Sequence, residues 1–317
     1  MKRGRPKGIA LILVLWVLTL LTIMAVGLTQ TQRTETALLE NQVGGARFRA
    51  AADAAIAYAM LRFLSPMSEE SLGGGLGAAD DQGPWIPNGA PRPWLFDGQR
   101  LSIAVFDEAS RINLNEADPQ LLAALIRAVG VAEEDALRLA DAIADWRDED
   151  DLRLLNGAED RDYEDAGRPV GAKDAAFATV EELQQVLGMD PMLYQRLAPD
   201  LSVDTTEKTP KPQFASPAVL AALDGISLEE AELRVQERDS PLFAGTQGPS
   251  LIIDRGGPLY RIQVREQTGG TAGRGLEALV ELLPSEQPPY RVHWRRYGRV
   301  AASPVSDIDQ DRMDGRR

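Results

Sequence analysis

A basic leader runs straight into an apolar segment. Met1 to Lys7 carries Lys2, Arg3, Arg5 and Lys7, Gly8 closes it, and Ile9 to Leu28 follows as IALILVLWVLTLLTIMAVGL. These twenty residues hold no charge, and Thr19 and Thr22 are their only polar side chains. As a helix the run would be about 30 Å long, the hydrocarbon thickness of a bilayer. Four cations before it and none after it until Arg33 predict a cytoplasmic N-terminus and a remainder on the far side of the membrane.

Three readings fit this segment. One is a cleaved secretory signal, with Ala25-Val26-Gly27 as the small-residue cleavage site, although the apolar stretch exceeds the usual ~7–15 residues. A second is a plain single-pass anchor. The third rests on Lys7-Gly8-Ile9, which resembles the processing site of type IV pilin-like precursors. There a prepilin peptidase cuts after the glycine, and the apolar helix stays on the mature protein. Processing would then fall between Gly8 and Ile9, and the fifth mature residue would be Leu13. Pilin-like subunits usually carry Glu at that position, where its carboxylate neutralises a neighbour's N-terminal ammonium inside the apolar filament core. Burying one of these charges unpaired is costly, so a subunit with Leu13 is expected to have no such neighbour above it.

Composition narrows the rest. The 317 residues include no cysteine, which excludes disulfides, thiolate metal sites and Cys nucleophiles. One histidine, His293, excludes a histidine-rich zinc site and is read as an ordinary surface or interface residue. A net charge of −14 argues against nucleic acid as a partner.

Helical periodicity continues past the apolar run. Phe48, Ala52, Ala55, Ile56, Ala59 and Phe63 share one face, and Ser65-Pro66 is expected to stop the helix near Leu64, with Gly44-Gly45 as a loose point. The Gly- and Pro-rich stretch from Gly73 to Pro93 reads as a loop. Strand patterns follow at Gln99 to Asp107, then at Leu251 to Asp254, Leu259 to Gln267, Leu276 to Leu283 and Tyr290 to Gly298. Between the early strand and the late ones the sequence is largely helical. An antiparallel sheet interrupted by a helical insertion is the economical arrangement.

Within the insertion the chain repeats itself. Ala117 to Leu125 (ADPQLLAAL) matches Ala215 to Leu223 (ASPAVLAAL) at six of nine positions. Each copy has a capping candidate before proline, an apolar helix, a glycine turn (Gly130-Val131, Gly225-Ile226) and a second amphipathic helix. This resembles a helix-hairpin-helix or sterile-alpha-motif-like module present twice. The first turn continues into Glu133, Glu134 and Asp135, which would repel phosphate, so packing or partner recognition is expected instead of DNA binding.

The densest chemistry lies from Asp145 to Asp165, where ten carboxylates and three arginines contribute −7. Such a run is usually a solvated face. Here it is interleaved with Trp146, Leu152, Leu154, Leu155 and Tyr163 and holds an Asn156-Gly157 turn. Clustered carboxylate and amide oxygens around a tight turn suit Ca²⁺, a hard ion taking six to eight oxygens. Leu152 in the third ligand position counted from Asp148 rules out an EF-hand loop. The candidate ligands are Asp148, Asp150, Asp151, Asn156, Glu159 and Asp160, for one or two ions.

Taken in order, these features resemble one family. The Gly8 leader, Leu13, Phe106-Asp107-Glu108 running into Arg111-Ile112-Asn113-Leu114-Asn115, Ile143 to Asp148, Asn156 to Asp160 with Tyr163, and Phe177 to Leu183 look like the K-type minor pseudopilin of type II secretion systems. The second repeat departs from the pattern, with Pro212-Gln213-Phe214-Ala215 in place of an Asn-rich lead-in. The resemblance implies an α+β, pilin-like fold in which a long N-terminal helix packs on an antiparallel sheet carrying a large inserted helical domain. It also implies calcium binding, an inner-membrane location with a periplasmic C-terminal region, and a place at the tip of the pseudopilus. Expected partners are the I and J minor pseudopilins, other pseudopilins and the prepilin peptidase. The expected divisions are a leader 1–8, membrane and spine helix 9–65, first β-region 66–109, inserted domain 110–207, second repeat 208–247, second β-region 248–300 and tail 301–317. A membrane-anchored adaptor that forms no filament is the alternative. No nucleophile, oxyanion motif or cofactor loop accompanies the carboxylates, so the expected role is structural and not enzymatic.

Overall fold

A computed structural model describes residues 9–65, 85–239, 255–267 and 273–298. The leader with Gly8, the strand candidate at 251–254, most of the 73–93 loop and the 301–317 tail lie outside the described residues, as does the side chain of Ile9. The chain divides into two compact units, Met1–Ala54 and Ala55–Arg317.

Helix α1 covers Ile9–Leu64 without a break. Gly44 and Gly45 do not interrupt it: a glycine costs about 1 kcal/mol in a helix interior, too little to stop one with strong helix formers on both sides. Side chains of the apolar run, including Leu13, are exposed wherever they are described, from Leu11 to Ala25. Among the described residues no helix is long and apolar enough to cross a membrane. Further along, Phe48, Ala52, Ala55, Ile56, Ala59 and Phe63 are all buried, joined by Ala51 and Met60. Small residues alternate with large ones on this face, which lets a helix lie close to whatever it covers. Ser65 ends α1, its hydroxyl donating to the Leu61 carbonyl at 2.8 Å.

In the second unit the last turns of α1 pack on a five-stranded sheet. Its strands are β1 (Arg92–Phe96), β2 (Gln99–Asp107), β5 (Leu259–Glu266), β6 (Gly275–Leu282) and β7 (Tyr290–Gly298), in that spatial order and antiparallel throughout. Phe63 meets Tyr260 with ring centroids 4.8 Å apart, and Tyr58 stacks on Trp94 at 5.4 Å. Arg255 closes the helix end by donating to the carbonyls of Phe63 (2.6 Å) and Ser65 (2.9 Å), two acceptors with no helical partner. β1 corrects the sequence reading, which ran a loop through Pro93. Asp97-Gly98 takes two positive φ values (47° and 74°) and turns β1 into β2, and Pro93 is tolerated because β1 is an edge strand.

β2 and β5 are neighbours in the sheet, with Val105 opposite Ile262, although about 150 residues separate them in sequence. The helical insertion occupies that interval. It comprises α2 (Pro119–Ala128), α3 (Glu133–Arg147), α4 (Asp160–Asp165), α5 (Pro191–Leu197), α6 (Pro217–Asp224) and α7 (Leu228–Arg238), with a two-residue parallel pair of β3 (Ile112–Asn113) and β4 (Leu201–Ser202) at its base. Leu122, Leu125 and Ile126 of α2, Leu139 and Ile143 of α3, Leu183 of the segment before α5, Leu197 at the end of α5 and Val219 of α6 share one buried core. The two repeats meet through their first helices, α2 lying against α6, while α7 packs on α6 in a separate small cluster around Ala231. Gly130 and Gly225 turn each repeat at φ values of 93° and 67°, where a Cβ would be strained. Ser216 caps α6 by accepting from Val219 N–H at 3.2 Å, and Phe214, from the divergent lead-in, is buried beneath it.

The Ile112-Asn113-Leu114-Asn115 motif acts as a stitch. Asn113 donates to the Thr205 carbonyl at 2.6 Å, while Asn115 exchanges hydrogen bonds with the backbone of Phe177, donating at 3.0 Å and accepting at 2.7 Å. Side-chain amides can satisfy a neighbouring backbone segment in this two-way manner.

The insertion is tied to the sheet by buried charge. Glu108, just after β2 and fully buried, accepts two hydrogen bonds from Arg261 of β5, one of them at 2.9 Å. Burial alone would raise the Glu108 carboxyl; the guanidinium groups of Arg261 and Arg111 outweigh it and hold the group below its ordinary value. Arg111 donates onward to the Pro199 carbonyl, and Asp204 accepts from the Trp294 indole of β7 at 3.3 Å. Arg296 of β7 pairs with Glu181. His293 is surface-placed as expected, 3.0 Å from a Glu281 oxygen.

Candidate metal centre in the acidic loop

The acidic run begins on the last turns of α3, and each residue of Asp145-Trp146-Arg147-Asp148 takes a different job. Trp146 enters the core, 5.8 Å from Tyr163 and 6.2 Å from Phe177 between centroids. Tyr163 is buried, its hydroxyl accepts from Leu187 N–H at 3.0 Å, and burial pushes its ionisation up to about 12. Arg147 donates to the carbonyls of Leu114 and Ala117, fixing the end of α3 to the stitched segment. Asp145 and Asp148 face the loop that follows.

That loop is held down on α3. Leu154 N–H donates to Asp145 at 3.2 Å, and Asn156 donates to Asp141 from both its backbone (3.2 Å) and its side chain (3.0 Å). A Cβ on Gly157 would lie 1.9 Å from an Asp145 oxygen, and one on Gly171 1.7 Å from an Asp160 oxygen. Only glycine lets two loop segments press this closely on carboxylates.

The carboxylates of this region act on one another. Burial raises Glu159 to about 7, with further upward pushes from Asp145, Asp148, Asp174 and Asp151. Burial likewise raises Asp145 to about 6, partly offset by N–H donors from Leu154 and Ala158. Asp148 is raised by burial and then by Asp150 and Asp174, and Asp174 by burial and then by Asp160 and Asp151. One oxygen each of Asp148, Glu159 and Asp174 is buried without a hydrogen-bond partner. Buried unpaired acceptors of like charge are unfavourable unless a cation or proton joins them.

Of the six candidates from the sequence, Asp148, Asp150, Asp151, Glu159 and Asp160 fall within electrostatic reach of this group. Asn156 donates its side-chain Nδ2 to Asp141. Two members were missed. Asp145 opens the acidic run on the last turns of α3 but was not among the candidate ligands, and Asp174 lies beyond the run, where Gly171 comes close to Asp160. Among the described residues no group of three or more His, Cys, Asp or Glu converges closely enough to hold a metal ion.

Comparison with known proteins adds a separate line of argument. The family model for type II secretion system protein K matches residues 100–204, from β2 through the insertion to Asp204. The type II secretion system protein K of Pseudomonas aeruginosa is 30% identical over 250 residues, covering 75% of this chain and 74% of that one. The corresponding protein of Aeromonas hydrophila is 27% identical over 246 residues, covering 72% and 74%. Among solved structures, the GspK-GspI-GspJ complex from the enterotoxigenic Escherichia coli type 2 secretion system contains a chain with the same fold, at TM-score 0.56 and 18% identity, covering 82% of this chain and 99% of that one. The sheet interrupted by a helical body and the sequence likeness across three quarters of the length agree, and the chain belongs to the type II secretion system protein K family, the minor pseudopilins of type II secretion.

Proposed function

We propose that this minor pseudopilin caps the pseudopilus, held in the inner membrane by one span until assembly, and that it is needed for pseudopilus assembly and for protein export across the outer membrane. The observation that carries the reading is Leu13 together with the helical insertion between β2 and β5. Leu13 offers no carboxylate to a neighbour's terminal ammonium, so nothing in the filament core favours a subunit above this one. The insertion gives the head a bulk that stacked subunits would have to avoid. The related chain of known structure is in complex with GspI and GspJ, and the equivalent I and J minor pseudopilins are the partners proposed here. Other pseudopilins continue the filament below them.

The acidic group supports calcium as the resident ion. Asp148, Glu159 and Asp174 would offer the oxygens that lack partners, with Asp145, Asp150, Asp151 and Asp160 adjusting around one or two ions. Calcium takes six to eight oxygens in flexible geometry and would join carboxylates that otherwise repel, fixing the loop on α3.

Maturation supplies the test of the proposed class. Cleavage by a prepilin peptidase requires Gly8, so N-terminal sequencing of the mature protein should start at Ile9, and Gly8→Trp should leave the precursor uncut. A start near Leu28, or normal processing of the variant, would contradict the proposal.

A further inference from the structure

The acidic loop carries a second feature that a cation does not explain. Leu152 and Leu155 are 77% and 92% exposed, and Leu154 between them is 38% exposed. Single exposed leucines are ordinary, but three within four positions of a loop fixed at both ends form an apolar ridge. Hydrogen bonds and an ion pair hold the loop in this arrangement. Leu154 N–H and Asn156 are bonded to Asp145 and Asp141, Gly157 N–H donates to the Leu154 carbonyl at 3.1 Å, and Arg153 is paired with Asp162 at 2.8 Å. Leu137, also exposed, stands one turn of α3 before Asp141, the residue that holds Asn156.

Charge selects the occupant. The ridge sits in the 21-residue stretch that contributes −7, so a second copy of this surface or an anionic lipid face would be repelled. Even two bound calcium ions would leave the stretch negative. We infer that Leu152, Leu154 and Leu155 dock a protein segment that presents apolar side chains flanked by lysine or arginine. Affinity would come from burying the leucines and selectivity from the carboxylate rim. The inference does not depend on calcium or on a tip location.

The test uses the full-length protein in neutral detergent and a fluorescent helical peptide with leucines on one face and lysines on the other. Matched peptides carry glutamate for lysine, or serine for leucine. The expected result is saturable binding of the leucine–lysine peptide alone, weakened at least tenfold by Leu152→Ser/Leu155→Ser and weakened by raising the salt. Both leucines are exposed, so the variant should melt with the wild type. Binding unchanged in the variant would reduce the effect to charge, and equal binding of the serine–lysine peptide would do the same. No binding of the leucine–lysine peptide, or a stronger leucine-dependent association with phosphatidylglycerol vesicles, would overturn the inference.

Discussion

Replacing Arg261 by alanine should destabilise the folded chain by about 3–5 kcal/mol, the cost of leaving a buried carboxylate without its partner. Glu108 has no exposed surface, and besides Arg261 its nearest cation is Arg111 at 3.6 Å, already donating to a backbone carbonyl. For the second unit this should lower the melting temperature by about 6–20 °C. The exposed pair of Arg127 and Glu133, at 2.6 Å, provides the control: Arg127→Ala should cost less than about 1 kcal/mol. Glu108→Gln with Arg261→Met should lose less than the sum of the single changes, because no charge remains buried. A melting temperature unchanged in Arg261→Ala would mean that Glu108 finds water or is protonated there. Because Glu108 is held below its ordinary value, its share of stability is complete above about pH 4.3 and is lost as pH falls further.

Chelation should have the second largest effect. With free calcium at a hundred times its dissociation constant, binding stabilises the folded state by about 2.7 kcal/mol, so removing it should lower the melting temperature by about 5–10 °C. The pH dependence gives a sharper signature. Glu159 is raised to about 7 and Asp145 to about 6, so the folded chain binds more protons than the unfolded one from about pH 4 to pH 7. In chelator, stability should therefore fall as pH rises from 5 to 8. In calcium the ion replaces the protons, and the fall should disappear. Asp148→Asn with Glu159→Gln should remove the calcium response and flatten the chelator curve together. Identical melting curves with calcium and with chelator at pH 8 would reduce the region to a self-repelling acidic loop.

Much of this architecture can be read from local patterns. The end of α1, strands β2, β5, β6 and β7, and the repeated helical hairpins all carry strong periodicity and capping signals, and the structure has them. β1 was lost because Pro93 and the preceding glycines masked it, although Asp97-Gly98 is the strongest short hairpin signal in the chain. The pairing of β2 with β5 and the shared core of the two repeats depend on contacts far apart in sequence, which no window of residues displays. The acidic site shows the same limit. Asp148, Glu159 and their neighbours declare themselves by density, whereas Asp174 joins only through the fold.

Position in the filament is the measurement closest to the central claim. Pseudopili assembled from all their subunits, with an epitope after Arg317, should be labelled by electron microscopy at one end and nowhere else. Label distributed along the filament, or filaments formed by this chain alone, would contradict a capping subunit without a carboxylate at Leu13.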